Sequence, residues 1–411
     1  MMAYNSKSSK TGKKLVEETQ SIWKTYSKKR ETWASHAQED KEFRLGKQWT
    51  ADQKRILEER GQAAIVVNRI HPAVEAAKAL ITANKPQFRV SPREDSDNKV
   101  AQAMNGLLEY IWQISEGNSV LRRIVDDYYV TGLGCALVYI DPMMDMGKGE
   151  VCIHDVDPLD VYIDPNARSP LADDAENIII SRLYTKDQAK SLYPMYEKAI
   201  KNASTEDHFS DRPSTGREDN GETTWPETTE TMTIANFGES DEYIRGYERY
   251  YPVLIDHYRV FEGFNGNEDL LTEEDYDLYV RQPAWEIQGQ IITDEEQARA
   301  IIEQVETMYK QMVEKGRQEG RVDLPETPKI EQLKFQDLID NGLIDVVIVP
   351  TKRITQCVIM GDKHLYSRIL PIDKYPIVFF MNQHTRTPYP MSDVRMVKGM
   401  QEYINKTRSL I

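Results

Sequence analysis

The chain has 411 residues, and its 52 Lys and Arg against 67 Asp and Glu give a formal net charge of −15. An acidic balance of this size disfavours the broad basic surface with which proteins grip nucleic acid by counterion release. Apolar stretches such as Cys135 to Ile140 are far shorter than the roughly 20 residues that a membrane span needs, which argues against a membrane protein. The three cysteines show no Cys-x-x-Cys spacing, which indicates a reducing compartment and no zinc ribbon.

The N-terminal region combines a polar tail with a long helix pattern. Residues 1–12 are rich in Ser, Lys and Gly, and we expect them to be disordered. Apolar residues then recur at spacings of seven and four, which predicts an amphipathic helix whose buried stripe is Leu15, Ile22, Tyr26, Trp33 and Ala37. Its other positions carry a basic run of Lys13, Lys14, Lys24, Lys28 and Arg30. A solvated face explains this run better than a nucleic-acid site does.

Residues 68–200 mix helix and strand patterns. One helix is predicted over Asn68–Asn84, and a second has the apolar stripe Val100, Met104, Leu107, Ile111 and Ile114. A third helix runs to Gly132. Short strands are predicted at Gln87–Val90, Cys135–Ile140, Val151–Val156, Val161–Ile163 and Asn177–Tyr184. Gly132 and Gly134 precede a strand instead of opening a helix, so they indicate a tight turn and no phosphate-binding loop.

The middle of the chain is acidic. Residues 203–231 carry eight acids, repeated Ser, Thr, Gly and Pro, and few large apolar residues, which predicts a loop or a disordered insertion. A strand pattern rich in Tyr and β-branched residues resumes at Tyr243 to Phe261. Twelve acids and two Arg then fall between Glu268 and Glu306.

The clearest helix signal begins inside that acidic region. Thr293 and Glu296 have the spacing of a capping box, and an apolar stripe follows at intervals of three and four: Ala298, Ile301, Val305, Met308 and Met312. The stripe predicts lengthwise packing against another helix. That helix belongs either to a neighbouring subunit in a ring or to the core of the same subunit.

The last 80 residues form an α/β segment followed by a helix. Lys329 to Asp340 precedes strands at Ile344–Pro350, Arg353–Met360 and Ile377–Met381. Ser392 is positioned to cap the final helix, with an inner stripe predicted at Val397, Met400, Ile404, Thr407 and Ile411. Gln401, Asn405 and Ser409 share a polar face, which is either solvated or meets a neighbouring subunit or a channel. Because no Gly or Pro stops this helix, we expect a C-terminal part of the native protein to be missing, or the chain to be an unusually short member of a longer family.

The sequence contains no recognisable catalytic constellation. The acids between Asp141 and Asp164 are the best candidates for a metal site, and Asp141, Asp155 and Asp157 are the ligands that a metal-dependent phosphodiesterase would use. Asp-Pro turn chemistry explains them better. We therefore expect a protein that is not an enzyme, with no catalytic residue, no cofactor and no metal. A further alternative is a coiled-coil adaptor built on Thr293 to Arg317.

An ordered series of short motifs runs through the chain. The motifs are Phe43-x-x-Gly46-x-Gln48-Trp49, Asn68-Arg69-Ile70, Pro86 to Pro92, Gly132-x-Gly134, Asp157-Pro158-x-x-Val161, Asp164-Pro165, the Gly361 turn, the Pro376 strand, Pro388-x-Pro390 and Gln401-x-x-x-Asn405-x-x-x-Ser409. In this order they resemble the portal proteins of tailed bacteriophages, most closely the type found in short-tailed phages. The resemblance spans roughly residues 20 to 200 and 330 to 411.

The resemblance implies an α+β, portal-like subunit. Its predicted parts are a wing and body over residues 13–202, a strand-rich wing segment 232–292, a stem-like helix 293–320, a clip-like α/β segment 321–366, and a strand with a second stem-like helix over 367–411. The acidic loop 203–231 has no counterpart that the resemblance assigns. Portals resemble one another in being rings, usually of twelve subunits, at one capsid vertex of the virion. Double-stranded DNA passes through such a ring without sequence-specific contacts during packaging and ejection.

The resemblance also implies partners. These are the large terminase subunit, the major capsid and scaffolding proteins, and head-completion or tail adaptor proteins, with assembly in the cytoplasm of the bacterial host and no membrane. The candidate subunit-interface or channel residues are Ala298, Ile301, Val305, Met308, Met312, Gln401, Asn405 and Ser409.

Overall fold

The computed structural model describes residues 9–84, 86–92, 97–205, 243–287, 289–318 and 327–410. These residues combine helices with several sheets, which confirms the predicted α+β class. The chain divides into two compact units: unit 1 contains Met1–Pro252 and Ile354–Ile411, and unit 2 contains Val253–Arg353. Most of the predicted acidic loop, residues 206–231, lies outside the described part of the chain.

The elements are numbered in chain order. The helices are α1 (Ser9–Arg44), α2 (Ala51–Glu59), α3 (Ile70–Thr82), α4 (Asn98–Ile114), α5 (Gly117–Thr131), α6 (Lys186–Leu192), α7 (Glu197–Lys201), α8 (Glu273–Tyr279), α9 (Glu295–Gln318), α10 (Phe335–Asp340) and α11 (Asp393–Leu410). The strands are β1 (Leu133–Asp141), β2 (Glu150–Val156), β3 (Val161–Ile163), β4 (Ile178–Thr185), β5 (Tyr243–Glu262), β6 (Glu268–Leu271), β7 (Pro283–Ile287), β8 (Gln290–Ile292), β9 (Ile330–Lys334), β10 (Ile344–Met360), β11 (Lys363–Leu370) and β12 (Ile377–Met381).

Unit 1 is built on two sheets. One has the strand order β12-β1-β2, with both pairings antiparallel. The other has the order β11-β10-β5-β4-β3, and β5 and β10 continue from it into unit 2. The largest core cluster joins residues of both sheets, including Cys135 and Phe379 from the first and Ile178 and Ile354 from the second. The sheets therefore share one hydrophobic core.

Helix α1 lies on the larger sheet through the predicted apolar stripe. Val16 and Tyr26 pack with Tyr162, Ile179 and Tyr247, and Ile22 and Trp23 border this cluster. The helix already begins at Ser9, so the disorder predicted for residues 9–12 is wrong. This contact explains how a helix of 36 residues gains stability from packing as well as from its own hydrogen bonds.

Arg30 corrects the interpretation of the basic run. Lys13, Lys14, Lys24 and Lys28 are exposed as predicted, but Arg30 is only 4% exposed. Its guanidinium donates to the carbonyl oxygens of Pro158, Leu159 and Val161, the last at 2.7 Å, and lies 3.6 Å from the ring centroid of Tyr162. A planar group with five donors can satisfy several carbonyls at once, which a sequence pattern of charge cannot reveal.

The Gly132 turn confirms the predicted tight turn. Gly132 has a φ of +85°, and a Cβ there would lie 2.8 Å from the carbonyl oxygen of Pro390. A Cβ on Gly134 would lie 2.7 Å from the carbonyl oxygen of Ile124 in α5. The first glycine supplies a left-handed conformation, and both allow close backbone approach.

Between residues 86 and 114 the predicted strand is wrong, whereas the predicted helix is confirmed as α4. Residues 87–90 form no strand, and the backbone of Val90 pairs instead with Asn105 of α4, which accepts from the amide of Val90 at 2.6 Å and donates to its carbonyl at 3.1 Å. The buried residues of α4 are Ala101 and Trp112. The predicted stripe is largely exposed, with Val100 at 58% and Leu107 at 50%.

Unit 2 has its own small core. Val260 of β5, Ala284 of β7, Phe335 and Leu338 of α10 and Ile344 of β10 pack together, beside a sheet of order β8-β7-β9. The start of α9 differs by one residue from the prediction. Asp294, and not Thr293, caps the helix, because its Oδ1 accepts from the amides of Glu296 and Gln297 at 2.8 and 3.1 Å.

Candidate functional site

Three of the sequence motifs, far apart in the chain, meet at α11. They are Phe43-x-x-Gly46-x-Gln48-Trp49 after α1, Asn68-Arg69-Ile70 before α3, and the Gln-x-x-x-Asn-x-x-x-Ser series on α11 itself. Beneath them lies an apolar cluster of Phe43, Ile70, Val74, Val130 and Val394. The motifs therefore describe one place in the fold of unit 1.

The orientation of α11 is the reverse of the predicted one. Val397, Met400 and Ile404 were expected to face inward, but they are 37%, 65% and 36% exposed. Gln401, Asn405 and Ser409 are instead 2%, 1% and 6% exposed. The pattern failed here because the side that finds hydrogen-bond partners, and not the apolar side, is the one that packs on the chain.

The buried polar side chains read the backbone of a neighbouring segment. We call Gln401, Asn405 and Ser409 the ladder, and residues 62–69, which form neither helix nor strand, the strap. In the order from Ser409 back to Gln401, the ladder oxygens accept from the strap amides of Ile65, Val67 and Arg69 at 3.1, 3.0 and 3.1 Å. The Gln401 amide nitrogen also donates to the carbonyl of Val67 at 2.8 Å and to Asn405 at 3.0 Å.

The first motif ties the ladder to the end of α1. The side-chain nitrogen of Asn405 donates to Gln48 Oε1 at 2.6 Å, and Gln48 donates in turn to the carbonyl of Phe43 at 3.0 Å. The indole of Trp49 donates to the carbonyl of Ile65 at 3.1 Å. Every group in this network is neutral, so its geometry does not depend on pH in the ordinary range.

Asn68 ends the strap and starts α3. Its Oδ1 accepts from the amides of Ile70 and His71 at 3.2 and 3.1 Å, and its Nδ2 donates to the carbonyl of Arg44 at 2.7 Å. An Asn in this place satisfies two free amides of the first helical turn. The second motif is thus a helix cap that also fixes the strap to α1.

The other end of α11 is held by charged groups on α1. Ser392 caps the helix as predicted, accepting from the amide of Arg395 at 2.9 Å, and donates to Asp40 at 2.7 Å. Arg395 lies 3.0 Å from Asp40 and 2.8 Å from Glu39. Asp40 is 2% exposed, and burial raises its pKa to about 6 even though Ser392 and Arg395 act in the opposite direction.

The carboxylates proposed as metal ligands have other partners. Asp141 Oδ1 accepts from the amide of Met143 at 2.9 Å, Asp155 pairs with Arg123 at 2.7 Å, and Asp157 pairs with Lys41 at 3.1 Å. Asp157 also caps the short turn that follows it. In the part of the chain that the structure describes, no group of three or more His, Cys, Asp or Glu side chains is arranged to hold a metal ion.

Asp127 is the most perturbed acid near this region. It lies 3.6 Å from Lys41, and its side chain is 22% exposed. Burial raises the pKa of Asp127 to about 7, and the negative charge of Asp157 acts in the same direction, while Lys41 lowers it. Beside it, Arg44 and Lys78 both pair with Asp126 and Glu75, and this network joins α1, α3 and α5. The arrangement fits helix docking.

The predicted stripe on α9 is divided between two environments. Ala298 and Val305 are buried, Ile301 is half-buried, and the helix packs on β7 and β8. Met308 and Met312 are 53% and 56% exposed. The first half of the helix therefore belongs to the core of unit 2. The second half leaves its apolar residues uncovered within this unit.

A comparison with protein families shows the family to which this chain belongs. The family model described as phage P22-like portal protein matches residues 20–411, which includes all the motifs that meet at α11. The chain belongs to this family. No curated protein matches it. The portal of a phage is a ring-forming component of the virion at a capsid vertex, and it serves the passage of DNA. Portal proteins are in general structural and not enzymatic. Among the described helices, none is long and apolar enough to cross a membrane.

Proposed function

We propose that this protein assembles into a closed ring of twelve subunits that conducts double-stranded DNA into the capsid and out of it, without enzymatic activity of its own. Its proposed partners are the large terminase subunit, the major capsid and scaffolding proteins, and head-completion or tail adaptor proteins, with assembly in the host cytoplasm. The acidic balance of the chain supports this, because a duct for a polyanion must let it slide without holding it.

The observation that carries the subunit contacts is the exposed apolar face of α11. Met396, Met400 and Tyr403 are 48%, 65% and 71% exposed, although a surface helix normally turns such residues inward. The ladder occupies the opposite side. We therefore propose that the subunit contact lies on this apolar face and not at Gln401, Asn405 and Ser409. Met308 and Met312 are further candidates for a subunit contact. Ala298, Ile301 and Val305 remain as supports of α9.

A cyclic ring needs a second, different surface on each subunit. Head-to-tail symmetry joins one patch of a subunit to another patch of the next, so two different, complementary surfaces are required. The exposed stripe of α4, with Val100, Met104 and Leu107, supplies a second surface. We propose that the α11 face of one subunit packs against the α4 face of its neighbour.

The mass of the purified protein in solution tests the proposal. Light scattering should give about 570 kDa, twelve times the chain mass of 47.5 kDa. Met400→Glu and Met104→Lys should each reduce the mass to that of small oligomers, because each buries a charge in the proposed contact. Lys406→Glu changes the charge of an exposed position on α11 outside the apolar stripe and should leave the mass unchanged. A wild-type mass of one or two subunits would contradict the proposal.

A further inference from the structure

Helix α11 is held to its own subunit almost entirely by polar contacts. Its buried residues are Val394, Gln401, Asn405 and Ser409, so a single apolar side chain near its N-terminus contributes to the core. The strap is equally poor in buried apolar surface, since Ile65 is 41% exposed and Val66 and Val67 are half-buried. Hydrogen bonds that replace bonds to water contribute little net free energy each. The contact between ladder and strap is therefore weak compared with the core beneath it.

The ladder recognises backbone and not side chains. Residues four apart on a helix advance by about 6.0 Å, and alternate residues of an extended chain advance by about 6.6 Å, so the two repeats nearly match over the two steps that join the three contacts. The ladder contacts the strap amides of residues 65, 67 and 69 and a carbonyl at 67. Matched hydrogen bonds of this kind form or break together, because losing one of them misaligns the others.

We propose that the strap and the C-terminal half of α11 form a two-state latch, closed in this structure, which opens locally while the core of unit 1 stays folded. The second half of the inference rests on the proposed function: association through the face of Met400 and Tyr403 requires the closed latch. An open latch leaves these side chains on an unanchored helix end. Association must then order that end, and the loss of conformational entropy weakens binding. By linkage, association stabilises the closed latch to the same degree.

A pair of proline substitutions in the strap isolates the ladder. Val67→Pro deletes the amide that Asn405 accepts, whereas Val66→Pro deletes an amide on the neighbouring residue, which the ladder does not contact. Both residues lie in the same irregular segment, so both variants stiffen it similarly. The only planned difference between them is one rung of the ladder.

Amide hydrogen exchange, measured on single subunits at a concentration too low for assembly, reports how often the latch opens. In Val67→Pro, peptides covering residues 62–69 and 400–410 should exchange on the order of 10- to 100-fold faster than in Val66→Pro. Peptides covering β4 should exchange equally in both, because β4 belongs to the core. Equal exchange of the strap in the two variants would overturn the latch. So would a Val67→Pro variant in which β4 is accelerated as much as the strap, because the whole core would then be opening. Asn405→Ala, with Lys406→Ala as its control, repeats the test from the helix side.

The mass of the assembled protein then tests the coupling. Val67→Pro should form at least about tenfold less ring than Val66→Pro at the same concentration. Faster strap exchange with normal assembly would overturn the coupling and leave the proposed function intact. If wild-type protein forms no ring at all, the proposed function fails, and the exchange comparison still decides whether the latch exists.

Discussion

The buried Arg30 gives the sharpest test of how unit 1 is held together. Replacing it with Met keeps an unbranched apolar stem against Tyr162 but removes every donor. The carbonyls of Leu159 and Val161 then lose their partner in a buried place, and the third contact, to Pro158 at 3.4 Å, is weaker from the start. Two unsatisfied acceptors at about 1–3 kcal/mol each, plus about 1 kcal/mol for the lost cation–π contact, give a loss of about 3–7 kcal/mol.

Thermal unfolding followed by tryptophan fluorescence measures this loss. Trp23 lies 5.7 Å from the ring of Tyr162, so its emission reports on the contact between α1 and the sheet. The midpoint for Arg30→Met should fall by about 6–15 °C relative to Lys28→Met, which removes an exposed charge from the same helix. Equal midpoints in the two variants would refute the assignment of Arg30 as a buried support.

Three further predictions concern charge and backbone. Burial raises the pKa of Asp127 to about 7 in the folded state, so the free energy of unfolding should fall as pH rises from 4 to 7. In urea denaturation, Asp127→Asn should therefore raise the free energy of unfolding by about 2–3 kcal/mol more at pH 8 than at pH 5, and an equal effect at both would contradict the pKa. Arg395→Gln removes a cation beside buried Asp40 and should lower the free energy of unfolding by about 2–3 kcal/mol at pH 8. The loss should be clearly smaller at pH 5, because Asp40 is then largely protonated, and a loss independent of pH would argue against the pairing. Gly132→Ala should lower the free energy of unfolding by about 2–4 kcal/mol, because the new Cβ would lie 2.8 Å from the Pro390 carbonyl oxygen. Gly106→Ala, where a Cβ would have no atom within 4 Å, should be neutral or stabilising by up to about 1 kcal/mol. Similar thermal midpoints for the two variants would contradict the close approach at Gly132.

Periodicity predicted the elements whose burial follows their apolar residues. The stripe of α1, the strand from Tyr243 and the strand Ile377–Met381 were all found where the pattern placed them. In these elements the hydrophobic effect decides which face is buried, and the sequence records that face directly. The tight turn at Gly132 was predictable for a similar reason, because only glycine tolerates its backbone conformation and the close approach.

The same reasoning failed where polar groups decide the packing. Residues 87–90 have the composition of a strand, but the backbone of Val90 pairs with the side chain of Asn105 instead of with another strand. Helix α11 buries Gln401 and Asn405 because their partners lie more than 330 residues earlier in the chain. No local pattern contains such a partner. In α4 and α11 several apolar side chains are exposed, so apolar periodicity did not mark the buried face of these helices.

The candidate site was visible in the sequence as motifs but not as a place. The motif around Gln48, the Asn68 cap and the Gln401 series were each recognised, and their convergence needed the fold. The sequence predicts a solvated face, a subunit contact or a channel lining for the three polar residues of α11, and the structure gives them partners within the chain. Charge patterning likewise missed Arg30, since a basic run on a helix does not distinguish the one side chain that points at three carbonyls.

Electron microscopy of the purified wild-type protein shows directly whether the subunits form a ring. We expect closed rings of uniform size with a central hole wide enough for a DNA duplex, since the chain belongs to a family of portals. Met400→Glu particles should appear as separate subunits or short arcs under the same conditions. Wild-type particles that are uniformly single subunits, at concentrations where the folded state is intact, would contradict the account.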